Sequence, residues 1–372
     1  MTGIEPAFSA WEADVLPLNY TRVGTRSYRH EARGENLDRS SVCRVDDVRF
    51  CTIADDEHYL GLVALVNSLR ITGHEQEVVV LDRGLTARQR ELLAPSVTLV
   101  DVPAGHADPY LVKPFPALVD TDGIVVLLDS DMVVTDSLEP VLERAAAGAI
   151  CVFPDHPADL DRWFAEWHEL FGLGTPLRRG DYLNAGFVAV STARWPGFFP
   201  RWWEACARIP AERETLTDPE PLAQLDQDAL NALLLSEIPE GAVGQLPSYE
   251  WDLRRVSVVD PRTLECRADG VRQPLLHAWL RPKVWQGREN VHANAYERLL
   301  PRILFAPDAA IRLDANDVPR WLRPGAAGQV ALHGLRAYNA LPEVRARARR
   351  APRRALRGLR ALAGRPRARG DE

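Results

Sequence analysis

The segment Ile124–Leu128 has the sequence IVVLL and runs directly into Asp129-Ser130-Asp131. Five consecutive aliphatic residues are typical of a central strand that is buried on both faces of a sheet. In an open α/β sheet, ligands bind at the carboxyl ends of the strands, where loops converge. This stretch therefore predicts a buried strand that delivers two carboxylates to a binding edge.

Segments of strand and helix character alternate before this strand. Val48–Ile53 and Val78–Leu81 are short apolar runs, and the spacing of apolar residues between them predicts a helix over Tyr59–Ile71. A Thr cap predicts a second helix over Thr86–Leu93, followed by a third strand over Val97–Val102. This alternation predicts an α/β fold with a parallel sheet and helices on both faces.

The composition is that of an ordinary globular protein, with 46% hydrophobic and 26% charged residues in a chain of 372. Met1–Ala10 lacks the basic start and the apolar run of a signal peptide, and no stretch approaches the roughly 18 apolar residues of a membrane span. The five cysteines are widely spaced and form no CxxC pair, which favours reduced core thiols. These features predict a cytoplasmic protein.

Asp129 and Asp131 are close enough in sequence to share one cation. Two neighbouring carboxylates repel each other unless a cation lies between them, and Mg²⁺ and Mn²⁺ prefer carboxylate and phosphate oxygens. The alternative is that the two aspartates simply form a turn. His277 ends a late apolar run and could add an imidazole to the same metal, although a histidine there is more often a hydrogen-bonded core residue.

Lysine is rare in this chain, because Lys113 and Lys283 are the only lysines among 45 basic residues. A lysine retained against such a bias can be needed as a compact ammonium group, although chance explains it as well. Lys283 lies six residues after His277, where it could meet the negative charge of a diphosphate leaving group.

Three further segments carry candidate ligand-binding residues. Asn184-Ala185-Gly186 combines an amide for sugar hydroxyls with small residues that let the backbone approach a ligand; the alternative is a strand with a glycine bulge. Asp226-Gln227 and Ala54-Asp55-Asp56 place acidic residues at the starts of helices, where helix capping explains them without any ligand.

Taken in order, these segments resemble the retaining glycosyltransferases of family 8, a GT-A group that includes glycogenin and bacterial lipooligosaccharide galactosyltransferases. The resemblance covers about residues 48–290. Asp129-Ser130-Asp131 is similar to the family's metal motif, and Asn184-Ala185-Gly186 is similar to its sugar-facing Asn-Ala-Gly. Asp226-Gln227 resembles the Asp-Gln segment beside the reactive carbon of the donor.

The nucleotide side of the resemblance lies in Ala54-Asp55-Asp56 and Tyr59. They look like the family's first loop, with one more residue before the tyrosine. Lys113 is expected in a helix upstream of the metal strand, where the family places a basic residue near the donor.

The closing segment resembles the family motif His-x-x-Gly-x-x-Lys-Pro-Trp through His277, Lys283 and Trp285. Leu280 replaces the glycine and Val284 replaces the proline. The glycine's backbone normally approaches the diphosphate, so these departures predict a divergent member and leave that contact open.

The resemblance implies a mixed, mainly parallel GT-A sheet with a peripheral C-terminal helical region. It implies transfer of a hexose from a nucleotide diphosphate sugar, by family default a UDP-sugar, with retention of the anomeric configuration. The implied metal is Mn²⁺ or Mg²⁺, held by Asp129, Asp131 and His277. The acceptor is a saccharide, a lipid-linked molecule or another small molecule.

In this scheme Gln227 and Asp226 line the reactive face, and Lys283 supports the leaving diphosphate. The residues expected to contact the donor are Ala54, Asp55, Asp56, Tyr59, Lys113, Ser130, Asn184, Ala185, Gly186 and Lys283.

The chain is expected to divide into four parts: an N-terminal extension over 1–46, the GT-A domain over 47–305, a peripheral helical region over 306–341 and a basic tail over 342–372. Residues 336–372 have a net charge of +9, and because the whole chain has −7, residues 1–335 carry −16. The tail is either disordered or an amphipathic helix that contacts the anionic inner face of a membrane. The acidic body argues against nucleic-acid binding.

Five tryptophans lie close together in sequence and could stack on an acceptor sugar: Trp163, Trp167, Trp195, Trp202 and Trp203. The roughly helical spacing of the last three favours packing in the core.

Three other functions remain as alternatives. A nucleotidyltransferase would typically have a glycine-rich loop after the first strand, but this chain has the acidic Ala54-Asp55-Asp56-Glu57 there. A non-catalytic nucleotide- or sugar-binding protein would be expected to lose the metal triad, and a membrane scaffold would leave the triad unexplained.

Overall fold

The computed structural model describes residues 47–103, 108, 110–119, 123–210, 220–279, 283–287 and 294–338. The strands are β1 (Val48–Ala54), β2 (Glu77–Asp82), β3 (Thr98–Asp101), β4 (Ile124–Leu128), β5 (Met132–Val134), β6 (Ile150–Pro154), β7 (Leu183–Ser191), β8 (Val243–Gln245), β9 (Ser257–Asp260), β10 (Glu265–Ala268), β11 (Val271–Arg272) and β12 (Leu275–His277). The helices are α1 (Tyr59–Ile71), α2 (Ala87–Leu93), α3 (Glu139–Ala146), α4 (Trp167–Leu170), α5 (Phe198–Ala207), α6 (Asp226–Ser236), α7 (Ala295–Leu304) and α8 (326–338).

A seven-stranded sheet with the order β3-β2-β1-β4-β7-β6-β8 forms the centre of the fold. All neighbouring pairs are parallel except the two that involve β7, so six strands run in one direction and β7 runs against them. The structure therefore confirms the predicted class, a mixed and mainly parallel sheet flanked by helices.

Strand β4 lies between β1 and β7 and is buried along its whole length. Its alternate residues face opposite sides of the sheet, as the strand period requires. Val126 and Leu128 belong to a core that also contains residues of α1 and α7. Val125 and Leu127 belong to a second core that contains residues of α5 and α6. Burial on both faces explains why β4 is uniformly aliphatic.

Helix α1 and strand β4 have the predicted boundaries. Helix α1 stops before Gly73, whose φ of +91° is a left-handed conformation that glycine adopts at little cost. The predicted helical position of Lys113 is wrong, since it lies in a turn just before a short 3₁₀ helix, Phe115–Leu118. The physical reason is Pro114, because the residue before a proline is disfavoured in the α-helical conformation.

A two-stranded antiparallel sheet outside the main sheet positions the late histidine. Strand β12 pairs with β5, and the register places His277 opposite Met132. Because Met132 follows the Asp129-Ser130-Asp131 turn directly, this pairing brings a side chain from 146 residues later in the chain to the two carboxylates.

Residues after position 305 pack onto the same body. The Asn67 side chain on α1 donates to the carbonyl oxygens of Ile303 and Ile311 and accepts from the Ile311 N–H. Val318 and Leu322 are buried in the core that contains α1. The domain boundary at 305 stays a prediction, and the extension 1–46 and the tail 342–372 lie outside the described residues.

Among the described residues, no helix has the length and apolar character needed to cross a lipid bilayer.

Candidate active site

The turn between β4 and β5 is fixed by its backbone. Asp129 N–H donates to the Gly186 carbonyl at 2.9 Å, and Met132 N–H donates to the Asp129 carbonyl at 3.0 Å. A Cβ atom at Gly186 would lie 2.8 Å from Asp129 Oδ2, so only glycine allows β7 to pass this close to the carboxylate. The β6–β7 register shifts at this place, so the bulge weighed as an alternative is present. Gly186 meets Asp129 because it continues the regular β4–β7 ladder, in which Leu128 lies opposite Phe187.

Three side chains converge at this turn. His277 Nε2 lies 3.2 Å from Asp131 Oδ1 and 3.7 Å from Asp129 Oδ2. One ligand atom from each of the three residues lies within 4.8 Å of the others. His277 Nδ1 lies 3.0 Å from the Tyr249 hydroxyl, so with a cation in the site Nδ1–H donation to that oxygen would leave the Nε2 lone pair free to bind the cation.

Each carboxylate also pairs with one of the two lysines. Lys113 Nζ lies 2.7 Å from Asp129 Oδ1. Lys283 Nζ donates to Asp131 Oδ2 at 2.5 Å and to the Ala278 carbonyl at 2.5 Å. The lysines therefore hold one oxygen of each aspartate, while the other oxygen faces His277.

The electrostatics of the group follow from burial and mutual pairing. Burial would raise the pKa of Asp131, but His277 and Lys283 outweigh it and hold that pKa well below its usual value. Burial would lower the pKa of Lys113, but the carboxylates of Asp129 and Asp226 keep it above its usual value. Both residues are therefore charged over the physiological pH range.

This donor set fits a divalent cation. Asp129 Oδ2, Asp131 Oδ1 and His277 Nε2 are two hard carboxylate oxygens and one imidazole nitrogen, a combination suited to Mn²⁺ and acceptable to Mg²⁺. The lysines contact the opposite carboxylate oxygens, so a cation bound to these three atoms leaves both ion pairs in place.

Asp226 stands on the far side of Lys113. Its Oδ2 lies 3.4 Å from Lys113 Nζ, and burial raises its pKa to about 6 although Lys113 acts in the opposite direction. Capping does not explain this residue, because Leu225 occupies the N-cap position of α6 without a side-chain cap bond. Leu225 has a φ of +49°, a strained conformation for a leucine that turns the chain into α6.

Gln227 and Asn184 belong to one hydrogen-bond network with Asp155. Gln227 Nε2 donates to Asp155 Oδ2 at 2.7 Å, and Gln227 Oε1 accepts from Ala185 N–H at 2.9 Å and from Asn184 Nδ2 at 3.1 Å. Asn184 Nδ2 also lies 3.1 Å from Asp155 Oδ1, and its Oδ1 accepts from Gly186 N–H. The network fixes the orientation of both amides.

A cleft of about 540 Å³ opens at this edge of the sheet. Eight of the predicted residues line it: Ala54, Asp55, Lys113, Asp129, Ser130, Asp131, Asp226 and Gln227. Five other predicted residues are not among those that line the cleft but contact residues that do: His277, Lys283, Asn184, Ala185 and Gly186. Asp56 and Tyr59 line a neighbouring hollow together with Trp285.

Asp55 makes local bonds as well as lining the cleft. Its Oδ1 accepts from the His58 N–H at 2.9 Å and lies 2.7 Å from His58 Nδ1. These bonds lower the pKa of Asp55. Asp55 does not cap α1, because the N-cap residue is His58 and it makes no side-chain cap bond; the bonds of Asp55 hold the loop between β1 and α1 in shape.

Two residues that orient the site's side chains were not predicted from the sequence. Asp155 orients Gln227 and Asn184, and Tyr249 orients His277. Asp155 directly follows β6 at the same edge as the other strand ends, a position that could have marked it. Tyr249 lies in an irregular segment and carries no such signal.

Of the three tryptophans expected in the core, Trp202 is fully buried, whereas Trp195 and Trp203 are half-buried. Trp167 is also fully buried, and Trp163 is half-buried.

No family model matches this chain, and no curated protein matches its sequence. Its structure is similar to that of the galactosyltransferase LgtC solved with donor and acceptor sugar analogues, with a TM-score of 0.43 and 18% identity over 70% of this chain and 97% of that one. It is also similar to the bifunctional glycosyltransferase WbbM, with a TM-score of 0.45 and 17% identity over 70% of this chain and 50% of that one. A third is GlyE of Streptococcus pneumoniae, with a TM-score of 0.35 and 17% identity over 53% and 44%. All three are glycosyltransferases.

At such identities and TM-scores the likeness carries no argument for function, which has to rest on the site itself.

Proposed function

We propose that this chain is a metal-dependent, family 8-like glycosyltransferase that moves a hexose from a nucleotide diphosphate sugar, by family default a UDP-sugar, to an acceptor hydroxyl with retention. The observation that carries the proposal is the group formed by Asp129, Asp131 and His277, with a lysine behind each carboxylate, at the edge of a 540 Å³ cleft.

The charge balance of the group suits a diphosphate. Three carboxylates, on Asp129, Asp131 and Asp226, face the two ammonium groups of Lys113 and Lys283. A divalent cation in the site turns this small negative balance into a positive one, which attracts a nucleoside diphosphate and stabilises it as a leaving group. Mn²⁺ fits the carboxylate–imidazole set best.

The residues of the chain then have separate tasks. Lys283 is fixed by Asp131 and Ala278 beside the metal group, where its charge favours the leaving diphosphate. Asp55 and Ala54 form the end of the cleft that receives the nucleoside. Gln227 lines the cleft, and Asp155 fixes the orientation of its amide. A group that borders the reacting carbon needs such a fixed orientation.

The test is donor hydrolysis and thermal shift across a panel of nucleotide sugars, each measured with Mn²⁺ and with EDTA. The proposal predicts that one donor raises the melting temperature and is slowly hydrolysed only when the metal is present. The identity of that donor then shows which base and which sugar the protein uses. If no nucleotide sugar changes the melting temperature or is hydrolysed in Mn²⁺, the proposal is wrong.

We further propose that the protein works in the cytoplasm and that the basic tail places it against the membrane. The tail lies outside the described residues, so its charge is the support for this point.

A further inference from the structure

An aromatic cluster adjoins the metal group on the side of His277. The Trp251 ring lies 5.9 Å from the His277 ring, 6.2 Å from the Trp279 ring and 5.9 Å from the His156 ring. The Trp279 and His156 rings are 6.0 Å apart. We call the three outer rings, His156, Trp251 and Trp279, the aromatic platform.

Within the platform, Trp251 is the buried support and Trp279 is the exposed ring. Trp251 is 8% exposed and packs on the buried Tyr249 at 4.6 Å, so it cannot move easily. Trp279 is 43% exposed, and its Nε1 lies 3.4 Å from the Trp251 carbonyl oxygen. It is the only tryptophan in the described part of the chain that is this exposed. An indole face held rigidly in water beside a reaction centre is a ready binding surface.

One polar group of the platform, on His156, can face a ligand. His156 Nδ1 accepts the Ala158 N–H at 3.2 Å, so the neutral imidazole carries its proton on Nε2 and can donate a hydrogen bond. Trp251 Nε1 is buried, so it is not presented to a ligand. An exposed aromatic face with a hydrogen-bond donor beside it matches a ligand that has an apolar face and hydroxyl groups at its edge.

The platform and the cleft contact the metal group through different residues. The cleft reaches it through Asp129 and Asp131, whereas the platform reaches it through His277. A second link runs from Gln227, which lines the cleft, to Asp155, which precedes His156 in the chain. The platform is thus linked both to the metal group and to the network of Gln227, the groups expected to border the transferred sugar.

We propose that the aromatic platform binds the acceptor, and that the acceptor is a saccharide whose terminal pyranose ring stacks on the exposed indole of Trp279, which Trp251 supports from inside. This inference rests on the proposed transferase function and narrows its acceptor to one class. The C–H bonds on one face of a pyranose carry slight positive charge and pack against the negative face of an indole, while the ring hydroxyls can bond to His156. A lipid alkyl chain would leave that donor unused.

The test uses saturation-transfer NMR on the full chain with Mg²⁺ and UDP, with methyl β-glucopyranoside and methyl β-galactopyranoside as probes and hexanol as the alkyl comparison. We expect transfer to the ring protons of at least one glycoside. We expect its dissociation constant to rise about tenfold in Trp279→Ala and much less in Trp279→Phe, which keeps an aromatic face.

Trp163→Ala is the matched control, since Trp163 is also partly exposed and stacks on Arg179 at 3.6 Å away from the platform. It should bind the glycoside as the wild type does. Equal affinity of the wild type and Trp279→Ala, no transfer to either glycoside, or stronger transfer to hexanol would overturn the proposal.

The two proposals fail separately. Metal-dependent donor hydrolysis by the wild type, with glycoside binding that ignores Trp279, contradicts the platform alone. Glycoside binding that depends on Trp279, without hydrolysis of any nucleotide sugar, supports the platform and contradicts the transferase.

Discussion

Asp129 and Asp131 differ in burial and in the ion pairs that they form. The Asp131 side chain is 13% exposed and neutralises Lys283, which is 2% exposed, whereas the Asp129 side chain is 31% exposed. Lys113, the partner of Asp129, has Asp226 as a second partner. The two aspartates should therefore respond differently to substitution.

We expect Asp131→Ala to abolish transfer and also to destabilise the fold, because it leaves the buried ammonium of Lys283 without its counter-ion. Removing one member of a buried ion pair costs about 3–5 kcal/mol. Asp129→Asn should abolish metal-dependent transfer at a cost below about 1 kcal/mol, because the amide oxygen can still accept from Lys113. Urea unfolding of both variants measures the difference. Equal stabilities would show that Lys283 is not held as described.

Gly61 on α1 is a second residue whose role comes from close approach. A Cβ atom there would lie 2.6 Å from the Ser130 carbonyl oxygen and 2.9 Å from the Trp285 ring. We expect Gly61→Ala to push α1 away from the metal turn, lowering both the thermal unfolding midpoint and metal affinity.

Gly334 on α8 is the matched control, because a Cβ atom there meets nothing within 4 Å. Gly334→Ala should be neutral or should stabilise the helix by up to about 1 kcal/mol. If both substitutions have the same effect, the close contact at Gly61 has no structural weight.

For individual residues, the sequence predicts the charged side chains of the site but not the side chains that orient them. Asp129, Asp131, His277 and Lys283 stand at strand ends or in a motif, and they meet as expected. Asp155 bonds to a glutamine 72 residues away, and only the folded sheet reveals that pairing.

Helix α6 is the element on which the reactive face depends, and a buried ion pair fixes its first turn. Asp228 is fully buried and accepts from Arg162 Nε at 2.7 Å and Nη2 at 2.9 Å, and from the Tyr182 hydroxyl at 2.7 Å. These bonds hold Gln227 at the cleft after the strained residue Leu225.

We expect Asp228→Asn to destabilise the protein by about 3 kcal/mol, because Arg162 keeps its charge in a buried place. Tyr182→Phe should cost about 1 kcal/mol, the loss of one hydrogen bond. Both should lower turnover through a displaced Gln227. A turnover in Asp228→Asn equal to that of the wild type would separate α6 from catalysis.

The sequence predicts which segments form strands and helices better than it predicts the direction in which each strand runs. The uniform burial of β4 and the apolar spacing of α1 follow from local sequence, so both have the predicted boundaries. Strand β7 is buried along its whole length, as β4 is, and burial does not indicate that β7 is antiparallel to its neighbours. The pairing of β12 with β5 joins distant segments and likewise needs the fold.

On the scale of the whole molecule, the burial of the cysteine thiols shows how tightly the interior is packed. Cys51, Cys151, Cys206 and Cys266 are buried free thiols, while Cys43 lies outside the described residues. Burial raises the pKa of Cys151 to about 11 and the pKa values of Cys51 and Cys266 to about 12.

The neutral thiol is thus favoured in the folded state, so its contribution to stability is complete below the unfolded pKa of 9.0 and is lost as pH rises towards 11 and beyond. At neutral pH we expect a thiol reagent such as DTNB to label at most one cysteine of the native protein quickly and all five after denaturation. Rapid native labelling of two or more would contradict this packing.

The central claim is that Asp129, Asp131 and His277 hold a divalent cation for a nucleoside diphosphate, and Mn²⁺ binding followed by electron paramagnetic resonance tests it most directly. The account predicts that the wild type binds one Mn²⁺, more tightly when UDP is present, and that Asp129→Asn loses this site while remaining folded. Mn²⁺ binding in Asp129→Asn equal to that of the wild type, with the same response to UDP, would contradict the account.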